Sequence, residues 1–234
     1  MILPEYKALF VHVPKAAGQS VENFLLSSLG KNRKEHGAQY LLRPNEDPQL
    51  GPPRLAHLTA SEYVKYHYLS QEEFNQCTKF AVIRNPWGRM LSFYKFRGFN
   101  SLVSFDIFVR KYLERYFEEE HWFFRPQTDY IYNDNDTLLV DHVINMEQLN
   151  HGFDVVAKKM DVVFETMPKN NPSEKRGVIS KKSFNVIKKH PEIIFPMFLG
   201  VRTFQNYKEA YSSEALKIVE KLYQRDLDLL GYTY

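Results

Sequence analysis

The sequence predicts an α/β protein in which helices cover both faces of a central parallel sheet. Segments 8–13 and 80–83 are β-branched and apolar runs, as expected for strands that are buried on both faces. Each run is followed by a short turn and then by residues at helical spacing. Because this order occurs twice, we expect parallel strands joined by right-handed crossovers.

The first strand–turn–helix segment has clear boundaries. Its strand ends at Pro14, and Val21, Phe24 and Leu25 recur at helical spacing from Ser20 onward. Gly30 supplies the residue type that commonly ends a helix. Segment 31–54 has many prolines and polar residues and no periodicity, so it is predicted to be a loop or extended segment.

A helix signal precedes the second strand–turn–helix segment. Thr59 and Glu62 have the spacing of a capping box, which predicts a helix just after His57. The strand at 80–83 then ends at Arg84, and segment 87–96 is predicted to be helical.

The remaining elements follow the same patterns. Segment 105–117 carries the clearest amphipathic helix. Segments 130–132 and 138–144 flank a turn-rich stretch and suggest a hairpin or two adjacent strands. An apolar stripe over 216–230 predicts a final helix that Gly231 ends.

Composition indicates one globular domain over residues 1–234. The chain is 44% hydrophobic, 25% charged and 15% aromatic, which excludes disordered and collagen-like classes. Its length lies below the roughly 250 residues at which single cores split. The single cysteine, Cys77, excludes an intramolecular disulfide framework and fits a reducing compartment.

Charge and hydropathy limit the partners. The beginning of the sequence lacks the layout of a signal peptide, and no window approaches the roughly 18 apolar residues of a membrane span. We therefore expect a cytoplasmic protein without a membrane anchor. A net charge of +3 is too small to indicate nucleic acid as a partner.

The turn after the first strand has the chemistry of an anion site. Small residues let backbone amides approach an anion, the N-terminus of a helix adds partial positive charge, and a lysine adds a full one. These residues are Lys15, Ala16, Ala17, Gly18, Gln19 and Ser20. The lysine opens the loop instead of closing it, so this is not the Walker pattern, and a plain turn with an exposed lysine is the alternative.

A second anion site is predicted after the second strand. The planar fork of Arg84 can bind a phosphate, and Ser92, two helical turns further on, can direct a hydroxyl to it. Alternatively, Arg84 pairs with a carboxylate, and Arg89 is expected to face solvent. Both turns follow parallel strands, so they are predicted to lie at the carboxyl edge of the sheet, where such folds bind ligands.

These residues carry a family resemblance. Segment 10–20 resembles the 5′-phosphosulfate loop of the carbohydrate-type sulfotransferases (sulfotransferase family 2), and segment 80–92 resembles their 3′-phosphate loop. Segments 126–130, 138–141, 147–149 and 223–232 are similar to further blocks of that family. Gln19 stands where threonine is usual, and residues 177–205 look like an insertion relative to compact members.

The resemblance implies a P-loop-like three-layer fold and a reaction. A sulfuryl group would move from 3′-phosphoadenosine-5′-phosphosulfate to an acceptor hydroxyl, and adenosine 3′,5′-bisphosphate would remain. That donor is anionic at both its 5′ and 3′ ends, which accounts for two positive sites. Lys175 and Arg176 resemble a family segment near the nucleotide and are expected to contact the donor.

Two residues are assigned to the chemistry. Lys15, with the loop amides, would stabilise charge on the departing phosphate. His57 matches a histidine of similar small family members and would take the acceptor proton, since an unperturbed imidazole has a pKa near 6.5. His57 is otherwise a capping or substrate-orienting residue. His12 is expected to be a packed strand residue, and the other histidines lack metal-ligand spacing, so no metal requirement is predicted.

The acceptor side is less defined. Gln127 and Asp129 would orient the acceptor or, equally well, fix the turn before the predicted hairpin. A glycan, a small molecule and a peptide all remain possible acceptors. Two other functions stay open: a nucleotide-dependent kinase or phosphotransferase with Asp141 as a magnesium ligand, and a non-catalytic nucleotide-binding module.

Overall fold

The computed structural model describes residues 1–168, 181–197, 204 and 206–234. They form two compact units: Met1–Arg84 with Gln127–Asn170, and Asn85–Pro126 with Asn171–Tyr234. The strands are β1 (Ile2–Leu3), β2 (Ala8–Val11), β3 (Thr78–Ile83) and β4 (His142–Asn145). The helices of the first unit are α1 (Gly18–Ser28), α2 (Arg33–His36), α3 (Ala60–Lys65), α4 (Gln71–Gln76), α9 (Thr128–Ile131) and α10 (Leu149–Lys159). Those of the second are α5 (Pro86–Arg97), α6 (Phe105–Lys111), α7 (Leu113–Glu119), α8 (His121–Phe124), α11 (Lys181–Lys189), α12 (Ile194–Met197), α13 (Ser213–Leu222) and α14 (Gln224–Leu230).

The first unit contains a mixed sheet with the strand order β1-β2-β3-β4. The strands β2 and β3 are parallel, as predicted, and are fully or nearly buried along most of their length. Strand β4 also pairs parallel with β3. The expectation of an all-parallel sheet is wrong at one edge, where β1 pairs antiparallel with β2. A single 3₁₀ turn over Pro4–Tyr6, ended by left-handed Lys7, returns the chain so closely that only the antiparallel pairing is possible.

The capping signal before α3 is confirmed. The Thr59 side chain accepts from the Glu62 amide, and the Glu62 carboxylate accepts from the Thr59 amide. Because both groups bond orphan helix amides, α3 begins at the predicted position, directly after a 3₁₀ turn over Leu55–His57.

The predicted hairpin is wrong. Segment 128–131 is the short helix α9, and the only pairing across the turn is an isolated antiparallel bridge between Tyr132 and Leu138 among the described residues. The turn itself forms, because Asn133 Oδ1 accepts from the amides of Asn135 and Thr137. The strand that follows, β4, pairs with β3 instead.

The second unit is built on an aromatic core. The predicted helix over 105–117 is two helices, α6 and α7, which meet at Tyr112. The predicted final helix is also two, since Tyr223 interrupts it and its hydroxyl donates to the Phe124 carbonyl. Gly231, at φ +69°, ends α14 as expected.

Arg89 does not face solvent. It is 1% exposed, donates to the Arg125 carbonyl over 3.0 Å, and its guanidinium lies over the rings of Phe93 and Tyr223. Burial of the charge among aromatic faces makes Arg89 part of the core of this unit.

Part of the predicted insertion contributes to the same core. In α11 and the turn after it, Val186 and Ile193 are buried, and Ser183 Oγ donates to the Gly98 carbonyl over 3.0 Å. Among the described residues, each helix is too short or too polar to span a bilayer.

Candidate functional site

The two predicted anion turns follow neighbouring strands. Strand β2 pairs parallel with β3, with Val11 opposite Ala81. The turn after β2 contains Lys15, and Arg84 directly follows the last residue of β3. Both residues therefore lie at the carboxyl edge of the sheet in the first unit, where the topology was expected to place a ligand.

The turn before α1 has an unusual backbone. Lys15 and Ala17 adopt left-handed conformations with φ of +68° and +61°. These two residues reverse the chain tightly enough for α1 to begin at Gly18, with Ala17 as its N-cap. Left-handed non-glycine residues are uncommon and carry strain, which is typical of functional turns.

The N-terminus of α1 presents donors at this turn. The Ser20 amide donates to the Ala17 carbonyl, while the amides of Gly18 and Gln19 precede any acceptor within the helix. Gln19 is exposed and Ser20 is 8% exposed. Ala16 is fully buried, so its side chain packs in the core. With half-buried Lys15 beside these amides, the turn has the partial and full positive charges that an anion needs.

A buried network lies against this turn. His12 Nδ1 donates to Glu22 Oε1 over 2.5 Å, and Glu22 Oε2 accepts from Arg33. The edge of the His12 ring lies against Gly18, where an added Cβ would lie 2.0 Å from Cδ2 and Nε2. His12 is packed as expected, at 5% exposure, but it lies one residue beyond β2, which ends at Val11, and the His12 side chain contacts the first turn of α1. Gly18 is therefore also required by the imidazole that packs on it.

The charge of Glu22 is stabilised within the protein. Its side chain has no exposed surface, and burial alone would raise its pKa. Attraction to His12, the hydrogen bond from His12 and the charge of Arg33 outweigh burial and lower the pKa of Glu22 to about 2. A carboxylate is thus held next to the anion turn but is neutralised by its partners.

His57 lies in contact with His12. It is 8% exposed, its ring centroid is 4.5 Å from that of His12, and its Nδ1 donates to the His12 carbonyl over 3.1 Å. Because a carbonyl only accepts, Nδ1 carries the hydrogen, which makes Nε2 the basic nitrogen of the neutral ring. Burial and then the charge of His12 lower the pKa of His57 well below 6.5, so the unperturbed value expected from the sequence does not hold.

The backbone of Arg84 is fixed by hydrogen bonds from a side chain. Gln127 is fully buried, and its side-chain amide accepts from the Arg84 amide over 2.9 Å and donates to the Arg84 carbonyl over 2.7 Å. These two bonds fix the backbone of Arg84, which is neither of the roles expected for Gln127. Asp129 is half-buried on α9, which packs against α3.

The other predicted donor contacts are Ser92, Lys175 and Arg176. Ser92 is half-buried and is the seventh residue of α5, in the second unit. Lys175 and Arg176 lie outside the described residues.

Asp141 is far from the anion turn along the strands. Its carboxylate accepts from the Lys79 amide over 2.7 Å and lies 3.1 Å from Lys79 Nζ. Lys79 is the second residue of β3, so Asp141 lies at the amino edge of the parallel strands, opposite Lys15 and Arg84. The interpretation of Asp141 as a magnesium ligand beside a Lys15-bound phosphate is therefore wrong. Among residues 1–168, 181–197, 204 and 206–234, no cluster of histidine, cysteine or carboxylate side chains could hold a metal.

Sequence reasoning missed Glu22 and Arg33. A signal for Glu22 exists, because it shares a helix face with Gly18 and Leu25, and a carboxylate on a buried face requires partners. Arg33 lies beyond the end of α1, in a segment without periodicity, and no pattern pairs it with Glu22.

Comparison with known proteins gives one family. No curated protein in the comparison matches the chain. The model of the sulfotransferase family matches residues 1–233, which include both anion turns, His57 and Glu22. Since this match covers essentially the whole sequence, the chain belongs to the sulfotransferase family (family 2), whose members transfer sulfuryl groups.

Proposed function

We propose that the protein transfers a sulfuryl group from 3′-phosphoadenosine-5′-phosphosulfate to an acceptor hydroxyl. The observation that carries the proposal is the pairing of two positive sites at one sheet edge. Lys15 and the N-terminus of α1 follow β2, and Arg84 follows the neighbouring strand β3. An anion with two separate charged ends fits this arrangement better than a ligand with a single phosphate chain.

The residues present suit the donor. The left-handed turn at Lys15 and Ala17 presents amides and one ammonium group, which match the oxygens of a phosphosulfate. Residues Lys15, Ala16, Ala17, Gly18, Gln19 and Ser20 would hold that end. Arg84 would hold the 3′-phosphate, and Ser92, Lys175 and Arg176 remain predicted donor contacts. The proposal includes a P-loop-like three-layer fold in a single sulfotransferase domain, to which the strand, turn and helix of this site would belong.

The transfer needs one base and one cation. His57 Nε2 would take the proton of the acceptor hydroxyl as the new oxygen–sulfur bond forms. The bond between sulfur and the bridging oxygen would break, and its electron pair would remain on the departing phosphate. Lys15 and the loop amides would stabilise that charge, which leaves adenosine 3′,5′-bisphosphate. No step of this scheme requires a metal.

The acceptor is proposed as a class only. A glycan, a small metabolite or a peptide with a hydroxyl would serve, and nucleic acid is not proposed. Asp129 remains a predicted acceptor contact. Gln127, whose side-chain oxygen and nitrogen both bond the Arg84 backbone, would act by positioning that arginine.

Thermal stabilisation tests the donor assignment. Adenosine 3′,5′-bisphosphate in the presence of EDTA should raise the melting temperature, because a ligand that binds only the folded state stabilises it. Lys15→Ala should lose most of that shift, whereas Lys34→Ala, an exposed lysine on α2, should keep it. A larger shift with ADP and magnesium would instead favour a phosphotransferase.

Turnover tests the reaction. An acceptor library incubated with the donor and read by mass should show a gain of one sulfuryl group on a hydroxyl compound. Bisphosphate binding without transfer to any acceptor class would support a non-catalytic binding module.

A further inference from the structure

We propose that the hydrogen-bonded series Arg33–Glu22–His12, which is buried at Glu22 and His12, is a positioning device that sets the tautomer of His57 and fixes the anion turn next to His12. The inference rests on the proposed function, since it assigns supporting residues to the same site. Glu22 and His12 would contact neither donor nor acceptor, so both are positioning residues.

The first step is the contacts of the His12 ring. Its Nδ1 donates to Glu22 over 2.5 Å, and its opposite edge lies on Gly18. Glu22 follows Gly18 by four residues, which places both on one face of α1. The imidazole therefore lies along the first turn of this helix, the turn whose amides would bind the phosphosulfate.

The second step is the energetics of Glu22. A carboxylate without exposed surface is tolerated only when charged or polar partners satisfy both oxygens. His12 bonds one oxygen and Arg33 the other. Because these partners come from the end of β2 and from α2, Glu22 connects three segments of the first unit, and its loss would release the ring of His12.

The third step joins His12 to His57. The His12 carbonyl accepts from His57 Nδ1 over 3.1 Å, and the two rings meet edge to face at 69°. A hydrogen bond at one ring nitrogen determines which nitrogen remains basic. The His12 backbone carbonyl thus selects Nε2 of His57 as the proton acceptor, and the side chain of the same residue restricts Gly18.

A spectroscopic experiment tests this without an acceptor. Protein labelled with ¹⁵N-histidine would be examined by two-bond ¹H–¹⁵N correlation at pH 7, which distinguishes the two tautomers of each ring. We expect the wild type to show His57 with hydrogen on Nδ1. In Glu22→Gln, His57 should become a mixture of tautomers, and affinity for adenosine 3′,5′-bisphosphate should fall roughly tenfold, as for other supporting residues.

A matched control separates this effect from general loss of a carboxylate. Glu5→Gln removes a carboxylate that bonds Lys31 and Tyr40 outside the His12 contacts. It should leave the His57 signals and the bisphosphate affinity unchanged. The same loss of tautomer in Glu5→Gln would overturn the proposal.

A second variant remains informative if Glu22→Gln does not fold. Gly18→Ala keeps the carboxylate but puts a methyl group where the His12 ring lies. It should also mix the His57 tautomers. Unchanged His57 signals in a folded Gly18→Ala or Glu22→Gln protein would overturn the inference. A wild type that fails to bind the bisphosphate would instead refute the proposed function, and the tautomer measurement would still decide the positioning role.

Discussion

At the scale of single residues, the low pKa of His57 determines its behaviour. Burial keeps the imidazole neutral, and its hydrogen bond to the His12 carbonyl leaves Nε2 as the acceptor. A base with a depressed pKa remains unprotonated in mildly acidic solution, so it is available over a wide pH range. It is also a weaker base than a free imidazole, which places more of the catalytic requirement on Lys15 and the helix amides.

His57→Ala should separate binding from turnover. We expect affinity for the bisphosphate to stay within twofold, whereas kcat falls about 10²- to 10⁴-fold, the usual contribution of a general base. The acidic limb of the wild-type profile should lie below pH 6.5, because the pKa of His57 is lowered. Calorimetry and initial rates measure both quantities. His151→Ala, an exposed histidine on α10, is the control, and an equal loss of kcat there would remove the role from His57.

Arg84→Ala should act on one end of the donor. The bisphosphate should bind at least tenfold more weakly, since hydrogen bonds to charged groups contribute about 1.5–3 kcal/mol. An analogue without the 3′-phosphate should lose little affinity. Arg43→Ala removes an exposed arginine of the same unit and should change neither value. Equal weakening of both ligands in Arg84→Ala would mean that Arg84 binds something other than the 3′-phosphate.

The residues found from sequence share a property that the missed ones lack. Lys15, Gly18 and Arg84 occupy fixed offsets from apolar strands, so their placement follows from local pattern. Glu22 meets Arg33 of α2 and His12 just after β2 through side chains, and no local pattern specifies these partners. Gly18 is needed because the His12 ring packs where a Cβ would lie. Its backbone does not require glycine, because Gly18 has no positive φ.

At the scale of elements, local signals predicted helix starts better than helix continuity. The capping boxes of α3 and α4 bond nearby amides and thus depend on few residues. The breaks at Tyr112 and Tyr223 leave the apolar periodicity intact on both sides, so periodicity predicts one helix where two form. The edge strand β1 lies next to a proline and is two residues long. Two residues are too few to show a strand pattern.

The two capping boxes allow a matched test of how α3 supports His57. Thr59→Ala removes the cap two residues after His57, and Ser70→Ala removes the equivalent cap of α4. Each should lower the free energy of unfolding by about 1 kcal/mol. Only Thr59→Ala should also lower kcat, severalfold, because α3 follows the turn that holds His57. Equal effects of both variants on kcat would show that loss of stability alone is responsible.

At the scale of the whole molecule, the two compact units contain different kinds of residues. The described part of the first unit contains the parallel strands, Lys15, Arg84 and His57, while that of the second contains the aromatic core. One family model spans both units, and composition indicated one globular domain over residues 1–234 without any sign of two compact units. Which side chains form each core could be read from apolar spacing, but the division at Arg84 could not, because it falls inside a continuous strand, turn and helix.

The second unit contains a buried histidine that should make it acid-sensitive. His190 is fully buried against the rings of Phe99, Tyr112 and Tyr116, and neither ring nitrogen has a hydrogen-bond partner among the described residues. Glu192 lies 3.3 Å from Nδ1 but outside hydrogen-bond geometry. Burial, and next the charge of Arg115, lower the pKa of His190. In the unfolded chain His190 therefore binds a proton near pH 6.5, whereas in the folded protein it stays neutral. The free energy of unfolding falls as the pH drops from 6.5 toward the pKa of His190 in the folded protein.

His190→Leu should remove this dependence. We expect the variant to be more stable by about 1 kcal/mol at pH 7, because an unsatisfied buried polar group is replaced by an apolar one of similar size. Its advantage should grow below pH 6.5, by at most about 1.4 kcal/mol per pH unit. Both tryptophans of the chain, Trp87 and Trp122, belong to the second unit, so denaturant unfolding followed by tryptophan fluorescence reports on that unit. His121→Gln, at an exposed histidine of the same unit, should keep the wild-type pH profile. If the profiles of His190→Leu and the wild type run parallel between pH 5 and 7, the buried imidazole does not cause the acid sensitivity.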